Sequence, residues 1–538
     1  MIIVSQELNL PIESAKVEKI SNNGWVFYCE TDSDGIVNLD SLTSSEKRIR
    51  IVARGFISRE LIVQDSIKLI RLLERSVIGY HDRLDALPGE ELVLRAHITE
   101  KVRAVLFRHS FCLEEQKDYG ILPVQYQLPD DNIDVVKSGF NWKESLRYKL
   151  PTDIIPGLFS MRLISVETKK VLHAVPLIVN TRPSEYGKKN KLLLLASNTT
   201  WQSYNIYGGR SRYRQNIGKK SIQFHSKSGL NLWAVRLIGL ILPLFVKRFL
   251  VSSERFREPS LDWKFWKLSI RRPFTHCGLE DNSPEIKFMN HLAGAEWRLI
   301  AWLEREGIEY DFCSGAVLHS TPDLLSNYNA ILLSSHCEYW TENMYKELRA
   351  QHNKGLWIIN ISGNTMYRLI DYYNDGSTRC VSLSFKDSLA DETELTGGRF
   401  DSLDYGTAAP YTIKTPKHWV FDGTGLMKSD LIGVKSLNSN VQPHTSRYDP
   451  GRIGKKSGLI GEGASGWECD KRTYSSRKNY KLLAKGINNK GGSEMIIKEP
   501  KGNVGGTFSV GSILFGGALL IDEKAGEIVK NVLKKALK

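Results

Sequence analysis

The sequence has few cysteines and no long apolar segment. Its seven cysteines are spread through 538 residues without a C-x-x-C pair, which excludes a disulfide framework and a zinc-finger module. The longest wholly apolar run, residues 237–246 (LIGLILPLFV), has about half the length that a membrane-spanning helix needs. The first residues lack the basic start and apolar core of a signal peptide. We therefore expect a cytoplasmic protein that touches a membrane at most peripherally.

The net charge is +14 and comes from scattered basic blocks such as residues 188–191 and 210–214. A solvated basic surface is the simplest interpretation, and an anionic substrate or partner is the alternative. No RNA-binding motif, zinc-finger spacing or basic helix accompanies the charge, so nucleic acid is not an expected partner. The basic residues around the apolar run leave two interpretations of residues 229–251 open. They form either a packed helix or lid, or a peripheral membrane contact.

Residues 1–185 alternate between apolar and polar positions and show little helical periodicity. Residues 91–98 (ELVLRAHI) are one example, and such alternation predicts half-buried strands. Residues 157–164 and 171–179 together predict the closing hairpin of a β-sandwich. We therefore predict a β-rich, sandwich-like N-terminal region over residues 1–185.

From residue 190 onwards, predicted strands alternate with predicted helices, which is typical of a mainly parallel sheet. Residues 192–196 and 330–335 are continuous apolar runs, as expected for strands that are covered on both faces. An apolar stripe predicts a helix over residues 284–306, with Gly307 after its end. We therefore predict that residues 190–538 form an α/β domain with a mainly parallel sheet, which resembles glutamine-amidotransferase-like folds.

Polar side chains follow several of these strands at the point where each ends. Residues 331–340 (ILLSSHCEYW) place an imidazole, a thiol, a carboxylate and a phenol directly after an apolar run. Polar groups also follow other predicted strands, at residues 197–205, 362–365 and 461–470. Open α/β sheets bind ligands beyond the carboxyl ends of their strands. The sequence therefore predicts an active site at this edge.

Several motifs, in this order, resemble the C-terminal domain of the large subunit of N,N-dimethylformamidase. They are residues 200–205 (TWQSYN), 208–211 (GGRS), Glu296 with 302–307 (WLEREG), 336–340 (HCEYW), 362–367 (SGNTMY) and 509–514 (SVGSIL). The resemblance covers about residues 190–538, with an insertion around 214–265. It implies a hydrolase that acts on a C–N amide bond of a small or sugar-linked substrate. We also expect a homo-oligomer.

The resemblance further implies a mononuclear iron site with two tyrosines and one glutamate as ligands. Position by position, Tyr204 and Glu338 are the implied metal ligands. Glu468 is the implied general base, which takes a proton from the attacking water. His336 and Asn364 are the implied polar partners of the substrate or the water.

One expected ligand is missing from the motif. The second tyrosine belongs near residues 271–274, where Phe274 cannot bind a metal. Tyr207 or Tyr213 could substitute, and the sequence does not choose between them. The alternative function is therefore a catalytically inactive or carbohydrate-binding relative that has lost the metal, acting at a membrane surface in polysaccharide metabolism. A second alternative mechanism uses Cys337 as a nucleophile, with its thiol pKa lowered near a helix start.

Overall fold

The computed structural model describes residues 1–7, 9–21, 24–39, 42, 47–64, 69–127, 134–213, 215–217, 220–222, 265–275, 279–286, 291–439 and 459–538. The first 72 residues form a two-stranded and a four-stranded sheet around a small apolar core of their own. Their strands are β1 (Ile2–Ser5), β2 (Lys16–Ser21), β3 (Gly24–Glu30), β4 (Arg48–Val52), β5 (Arg59–Ile62) and β6 (Leu69–Leu72).

Two further sheets between residues 77 and 179 share one apolar core. Their strands are β7 (Val77–His81), β8 (Asp85–Ala86), β9 (Glu91–Ile98), β10 (Val102–His109), β11 (Leu113–Leu122), β12 (Leu146–Lys149), β13 (Gly157–Ser165) and β14 (Val171–Val179). Strands β13 and β14 pair antiparallel, so the predicted hairpin is confirmed. The β-rich N-terminal region is also confirmed, and its sandwich-like part is limited to these two sheets. The boundary near residue 185 stays a prediction.

A nine-stranded sheet forms the centre of the C-terminal part. Its strands in chain order are β15 (Leu192–Leu195), β18 (Asp311–Cys313), β19 (Ala330–Ser335), β21 (Trp357–Ser362), β26 (Tyr411–Ile413), β27 (Leu431–Ile432), β31 (Lys481–Gly486), β32 (Glu494–Lys498) and β33 (Thr507–Ser509). In space the order is β18-β15-β19-β21-β33-β32-β31-β26-β27. The first five strands run parallel, and every later pair is antiparallel.

Helices cover both faces of the parallel strands. The helices are α1 (Val135–Ser138), α2 (Asn198–Tyr204), α3 (Ala293–Arg305), α4 (Gly315–Ser320), α5 (Glu342–His352), α6 (Thr393–Thr396) and α7 (Glu523–Ala536). Successive side chains of β15 lie on opposite faces of the sheet and pack against different helices. Leu194 joins a core with α3 and α7, whereas Leu193 joins a second core with α4 and α5.

Short strands around the central sheet complete the fold. They are β16 (Gln215–Ile217), β17 (Lys220–Ile222), β20 (Tyr339–Trp340), β22 (Arg368–Tyr372), β23 (Thr378–Ser382), β24 (Gly398–Asp401), β25 (Thr407–Ala409), β28 (Ile460–Gly461), β29 (Ser465–Gly466) and β30 (Cys469–Arg472). They form sheets of two or three strands. Strands β29 and β30 flank residues 467 and 468 and so position Glu468.

The predicted fold class is wrong. The structure consists mostly of strands in many mixed and antiparallel sheets, with 19% helix, and is not a mainly parallel α/β fold. The continuous apolar runs correctly indicated β15 and β19, because those strands are buried on both faces. Strands such as β31 have polar and partly buried positions, so they lack this signal. The predicted resemblance to glutamine-amidotransferase-like folds is wrong for the same reason.

Two other predictions concern helices and the insertion. The helix predicted from residue 284 begins only at Ala293, because Pro284 to Glu285 form a turn and Ile286 is partly exposed. The insertion around 214–265, with the apolar run and the proposed membrane contact at 229–251, lies outside the described residues apart from β16, β17 and Phe265. Among the described helices, none combines the length and the apolar character needed to cross a membrane.

Candidate active site

Three predicted site residues converge at the carboxyl edge of the parallel strands. His336 and Glu338 follow β19, and Glu468 lies in the turn between β29 and β30. One ligand atom from each of the three lies within 4.8 Å of the others, and all three side chains are buried. The strand-end rule accounts for His336 and Glu338, which follow the parallel strand β19. Glu468 reaches them through β29 and β30, which pair antiparallel with β25 and β24.

Glu338 is the centre of this cluster. Its Oε2 atom accepts a hydrogen bond from the hydroxyl of Tyr204 at 3.3 Å and a second from the hydroxyl of Tyr213. Its Oε1 atom lies 3.3 Å from Nε of Arg368. The rings of Tyr204 and Tyr213 pack at 4.2 Å between centroids. Two phenol oxygens therefore meet at one carboxylate oxygen.

His336 lies between two carboxylates. Its Nε2 atom is 3.4 Å from Oε2 of Glu338 and 3.1 Å from Oε2 of Glu468. Burial alone lowers the pKa of this imidazole, but the charges of Glu468 and Glu338 outweigh burial and raise it to about 9. His336 is consequently a cation at neutral pH.

The pKa values of the two carboxyl groups next to His336 shift in opposite directions. Burial raises the pKa of Glu468 above its ordinary value, although His336 opposes the shift. Burial also acts to raise the pKa of Glu338. The hydrogen bond and charge of His336 and the charge of Arg368 outweigh burial and hold this pKa below its ordinary value. Environments that separate the pKa values of neighbouring carboxyl groups distinguish a proton acceptor from a permanent anion. Glu468 therefore has the higher proton affinity of the two carboxyl groups.

Asn364 connects Glu468 to the end of β21. Its side chain lies close enough to Glu468 to lower the pKa of that carboxyl group, and its backbone N–H donates to Oδ1 of Asp470 at 2.8 Å. Burial raises the pKa of Asp470 to about 7. Asp470 thus fixes the turn at Asn364, and this turn helps to position Glu468.

The backbone around the site is strained. Nine non-glycine residues of the described chain have positive φ, and Ser335, Asn364, Met366 and Trp467 are among them. Ser335 directly precedes His336, and Trp467 directly precedes Glu468. Residues held in this sparsely populated region cluster at active sites and ligand clamps, where surrounding contacts enforce them. The strain therefore agrees with a site that positions its side chains.

Several buried polar atoms of the site lack a hydrogen-bond partner. They are Nδ1 and Nε2 of His291, Nδ1 of His336, Oδ1 of Asn364 and Oε2 of Glu468, the last of which is ion-paired only. Buried polar atoms in proteins are nearly always hydrogen-bonded, so each exception needs an explanation. These unpaired atoms are available to a polar ligand.

The sequence left the second phenol open, and the structure separates the two candidates. Tyr213 reaches Glu338, whereas Tyr207 packs in another apolar cluster with Phe140 and Trp142. Phe274, at the expected position, is buried in the main core near Trp297. Only tertiary packing of the loop after α2 brings Tyr213 to the site, so the sequence motif did not indicate it.

His291, Trp467, Arg368 and Asp470 were not predicted as site residues. The ring of His291 lies 4.8 Å from that of Tyr204 and 4.3 Å from that of Trp467. Burial and the charge of His336 lower the pKa of His291 well below its ordinary value, so this ring is uncharged. No sequence pattern marks His291, because it lies just before α3 and not at a strand end.

Glu296 positions α2 and, through it, Tyr204. Its Oε1 atom accepts the backbone N–H of Ser197 at 3.1 Å and the indole N–H of Trp201 at 2.7 Å. This carboxyl group is fully buried on α3, and burial raises its pKa to about 8. Glu296 therefore acts as an internal support for the first turn of α2.

Cys337 does not have the properties of a nucleophile. It is buried in the apolar core that contains Met344 and Leu348 of α5. Burial raises the pKa of its thiol to about 12. The expected lowering of the thiol pKa is wrong, because the apolar surroundings dominate over the nearby helix start.

The donor set fits a hard metal ion. Tyr204, Tyr213 and Glu338 present two phenol oxygens and one carboxylate oxygen, and hard cations prefer oxygen ligands. Burial raises the pKa of both phenols well above the ordinary value, so they ionise only beside a cation. A trivalent ion would supply that charge, and these three residues would hold it.

Comparisons with known proteins give one family match. A family model described as "N,N-dimethylformamidase beta subunit-like, C-terminal" matches residues 112–527, which is more than half of the chain. The match contains every residue of the site, and it begins earlier than the resemblance seen in the motifs. A comparison with curated protein sequences gives no match.

Proposed function

The chain belongs to the N,N-dimethylformamidase beta subunit-like family, and we propose that it is an amidohydrolase that cleaves the C–N bond of a small amide. One observation carries the proposal. Two phenols meet at the carboxylate of Glu338. The charged imidazole of His336 lies between this carboxylate and a second one, Glu468. The family name supports the reaction class, and the geometry supports the assignment of roles.

Glu468 is the proposed general base. Its raised pKa brings its proton affinity closer to neutral pH, where a base is most effective. Glu468 takes a proton from a water molecule, whose oxygen then bonds to the amide carbon. The same proton passes to the leaving nitrogen as the C–N bond breaks, so the products are a carboxylic acid and an amine. A positioned base of this kind contributes roughly 10²–10⁴-fold to the rate.

His336 is the proposed stabiliser of negative charge. Its Nε2 atom faces the two carboxylates, and its Nδ1 atom has no hydrogen-bond partner. A cationic ring in this orientation donates Nδ1–H to the oxygen that becomes negative when water attacks. Preorganised donors in buried sites are among the largest contributions to catalysis.

Tyr204, Tyr213 and Glu338 are the proposed ligands of an iron ion. When bound, a trivalent iron acts as a Lewis acid that polarises the carbonyl and acidifies water. Arg368 holds the other carboxylate oxygen of Glu338 at 3.3 Å and fixes the orientation of the group. Such supporting contacts typically change metal affinity 10–100-fold.

Metal analysis combined with an amidase assay tests the proposal. The full chain is produced in iron-supplemented medium, and release of ammonia or amine from formamide, acetamide and N,N-dimethylformamide is measured. We expect about one iron per chain and turnover of at least one amide. We expect the E338Q variant, which keeps the shape of the side chain, to lose both. If iron-loaded protein hydrolyses none of these amides, the proposal is wrong.

The alternative of an inactive, metal-free relative depended on Phe274. The position of Tyr213 weakens that argument, because a second phenol is available from another part of the chain. Iron-free protein with an intact fold would favour the alternative.

A further inference from the structure

His291 lies between three rings at the edge of the site. It directly precedes α3, whose N-cap is Leu292. Its ring centroid is 4.8 Å from Tyr204, 5.1 Å from His336 and 4.3 Å from Trp467. These contacts are edge-on or tilted, and they fix the plane of the imidazole without using its nitrogen atoms.

Both ring nitrogens of His291 are buried and have no hydrogen-bond partner among the described residues, and His291 is 7% exposed. Of the histidines that the structure describes, His291 alone has neither a hydrogen bond nor an ion pair. The other buried histidines that the structure describes have a hydrogen bond or an ion pair at one ring nitrogen at least. For example, Nε2 of His109 lies 2.8 Å from the hydroxyl of Ser160, and Nδ1 of His352 lies 2.9 Å from the carbonyl of Leu356. Leaving both nitrogens of one buried imidazole unpaired is costly, and a ligand that pairs with them removes that cost.

The surroundings of His291 indicate which part of a ligand it contacts. The leaving nitrogen must lie close to Glu468, because this carboxyl group returns the proton. His291 stacks on Trp467, the residue before Glu468, and neighbours His336, which is 3.1 Å from Glu468. Arg368 is on the other side of Glu338 and is not among the contacts of His291. His291 is thus on the same side of the site as the base.

We propose that His291 binds the nitrogen end of the substrate and selects amides that carry an N–H group. The inference rests on the proposed amidase function. An imidazole has one donor and one acceptor nitrogen. Its acceptor nitrogen pairs with the N–H of a primary or secondary amide, and a tertiary amide has no such donor. A site that hydrogen-bonds a ligand N–H discriminates strongly against analogues that lack it, because its own polar atom is then left unpaired.

The test compares formamide with N,N-dimethylformamide on the wild type and on two variants of the full chain. H291F keeps a flat ring without polar atoms, and H291Q keeps a donor and an acceptor. We expect H291F to lower kcat/KM for formamide roughly 10- to 100-fold, the loss of one buried hydrogen bond. The value for N,N-dimethylformamide should change far less, and H291Q should recover part of the preference. A loss that is equal for both amides overturns the inference.

H109F is the matched control. His109 is also fully buried and packs edge-on against a tryptophan, Trp297, at 4.4 Å, but its hydrogen bond is to the protein. H109F should lower the melting temperature and leave the ratio between the amides unchanged. H291F should raise the melting temperature, because it removes two unsatisfied polar atoms. A lower melting temperature for H291F, similar to that of H109F, means that His291 is structural and overturns the inference.

Absence of turnover in the wild type contradicts the proposed function but still leaves the binding preference measurable. The melting temperature is then recorded with and without formamide or N,N-dimethylformamide at equal concentrations. A larger stabilisation by formamide that disappears in H291F supports the role of His291. Equal shifts in the wild type and in H291F overturn it.

Discussion

The hydroxyl of Tyr213 donates to Oε2 of Glu338, a residue 125 positions further along the chain. The same oxygen accepts the hydroxyl of Tyr204. The site therefore has two phenols although Phe274 occupies the position where the family motif places a tyrosine. A loop that packs against α2 supplies the second phenol oxygen from a different position in the sequence.

The first prediction concerns this second phenol. Y213F removes one of the three proposed metal ligands and should lower the affinity for iron by at least roughly 10-fold. Iron content after dialysis against a weak chelator measures the effect. Y207F is the control, because Tyr207 is also buried but its hydroxyl has no hydrogen-bond partner among the described residues. Equal iron retention in Y213F and wild type would show that Tyr213 is not a ligand.

The second prediction separates the base from the metal ligands. E468Q should keep the iron and lose turnover by roughly 10²–10⁴-fold, since the amide cannot accept the proton of water. E462Q, an exposed glutamate six residues earlier, is the control and should behave as the wild type. Kinetics and metal content are measured on the same samples. Loss of iron together with activity in E468Q would assign Glu468 to the metal instead.

Much of the candidate site could be predicted from the sequence. Tyr204, His336, Glu338 and Asn364 lie in one region of the structure, because they follow the parallel strands β15, β19 and β21, and polar residues at such strand ends meet at the same edge. Glu468 also lies there, but the turn between β29 and β30 brings it in. Their roles stay predictions. The strand-end rule does not extend to His291 or Tyr213, since tertiary packing of irregular segments brings these two residues in.

The fold was predicted less well than the site. Apolar runs identified the buried parallel strands β15 and β19, which lead into Tyr204, His336 and Glu338. The antiparallel half of the sheet consists of shorter strands with exposed positions, such as β27 and β31, and their patterns resemble those of loops. The fold class was therefore extrapolated from the half with the strongest signal.

The third prediction tests the thiol mechanism. C337S should retain turnover within a few-fold, because burial raises the pKa of this thiol to about 12 and the site's carboxylates do not contact it. Placing a hydroxyl in an apolar core should destabilise the protein by about 1–3 kcal/mol. C313S in β18 is the matched control, with a cysteine that is equally buried in the same apolar core. A far greater loss of turnover in C337S than in C313S would restore the nucleophile hypothesis.

The fourth prediction concerns the pH dependence of stability and follows from Glu296. Burial raises its folded-state pKa to about 8, from an ordinary value of 4.5. A raised carboxyl pKa means that the folded state binds the proton more tightly than the unfolded state. The resulting stabilisation is complete below about pH 4.5 and declines as the pH rises towards 8, where the folded group ionises.

E296Q should remove this dependence. The glutamine oxygen can still accept the N–H groups of Ser197 and Trp201, which both donate to Oε1 in the wild type. Between pH 5 and pH 8 the wild type should lose more unfolding free energy than E296Q, by about 3–4 kcal/mol. Denaturant unfolding of both proteins at the two pH values gives this difference, and the other titrating groups cancel in the comparison. Parallel pH profiles for the two proteins would mean that Glu296 is already ionised in the fold. In that case the first turn of α2, which carries Tyr204 at its end, is stabilised by a buried anion and not by a neutral carboxyl group.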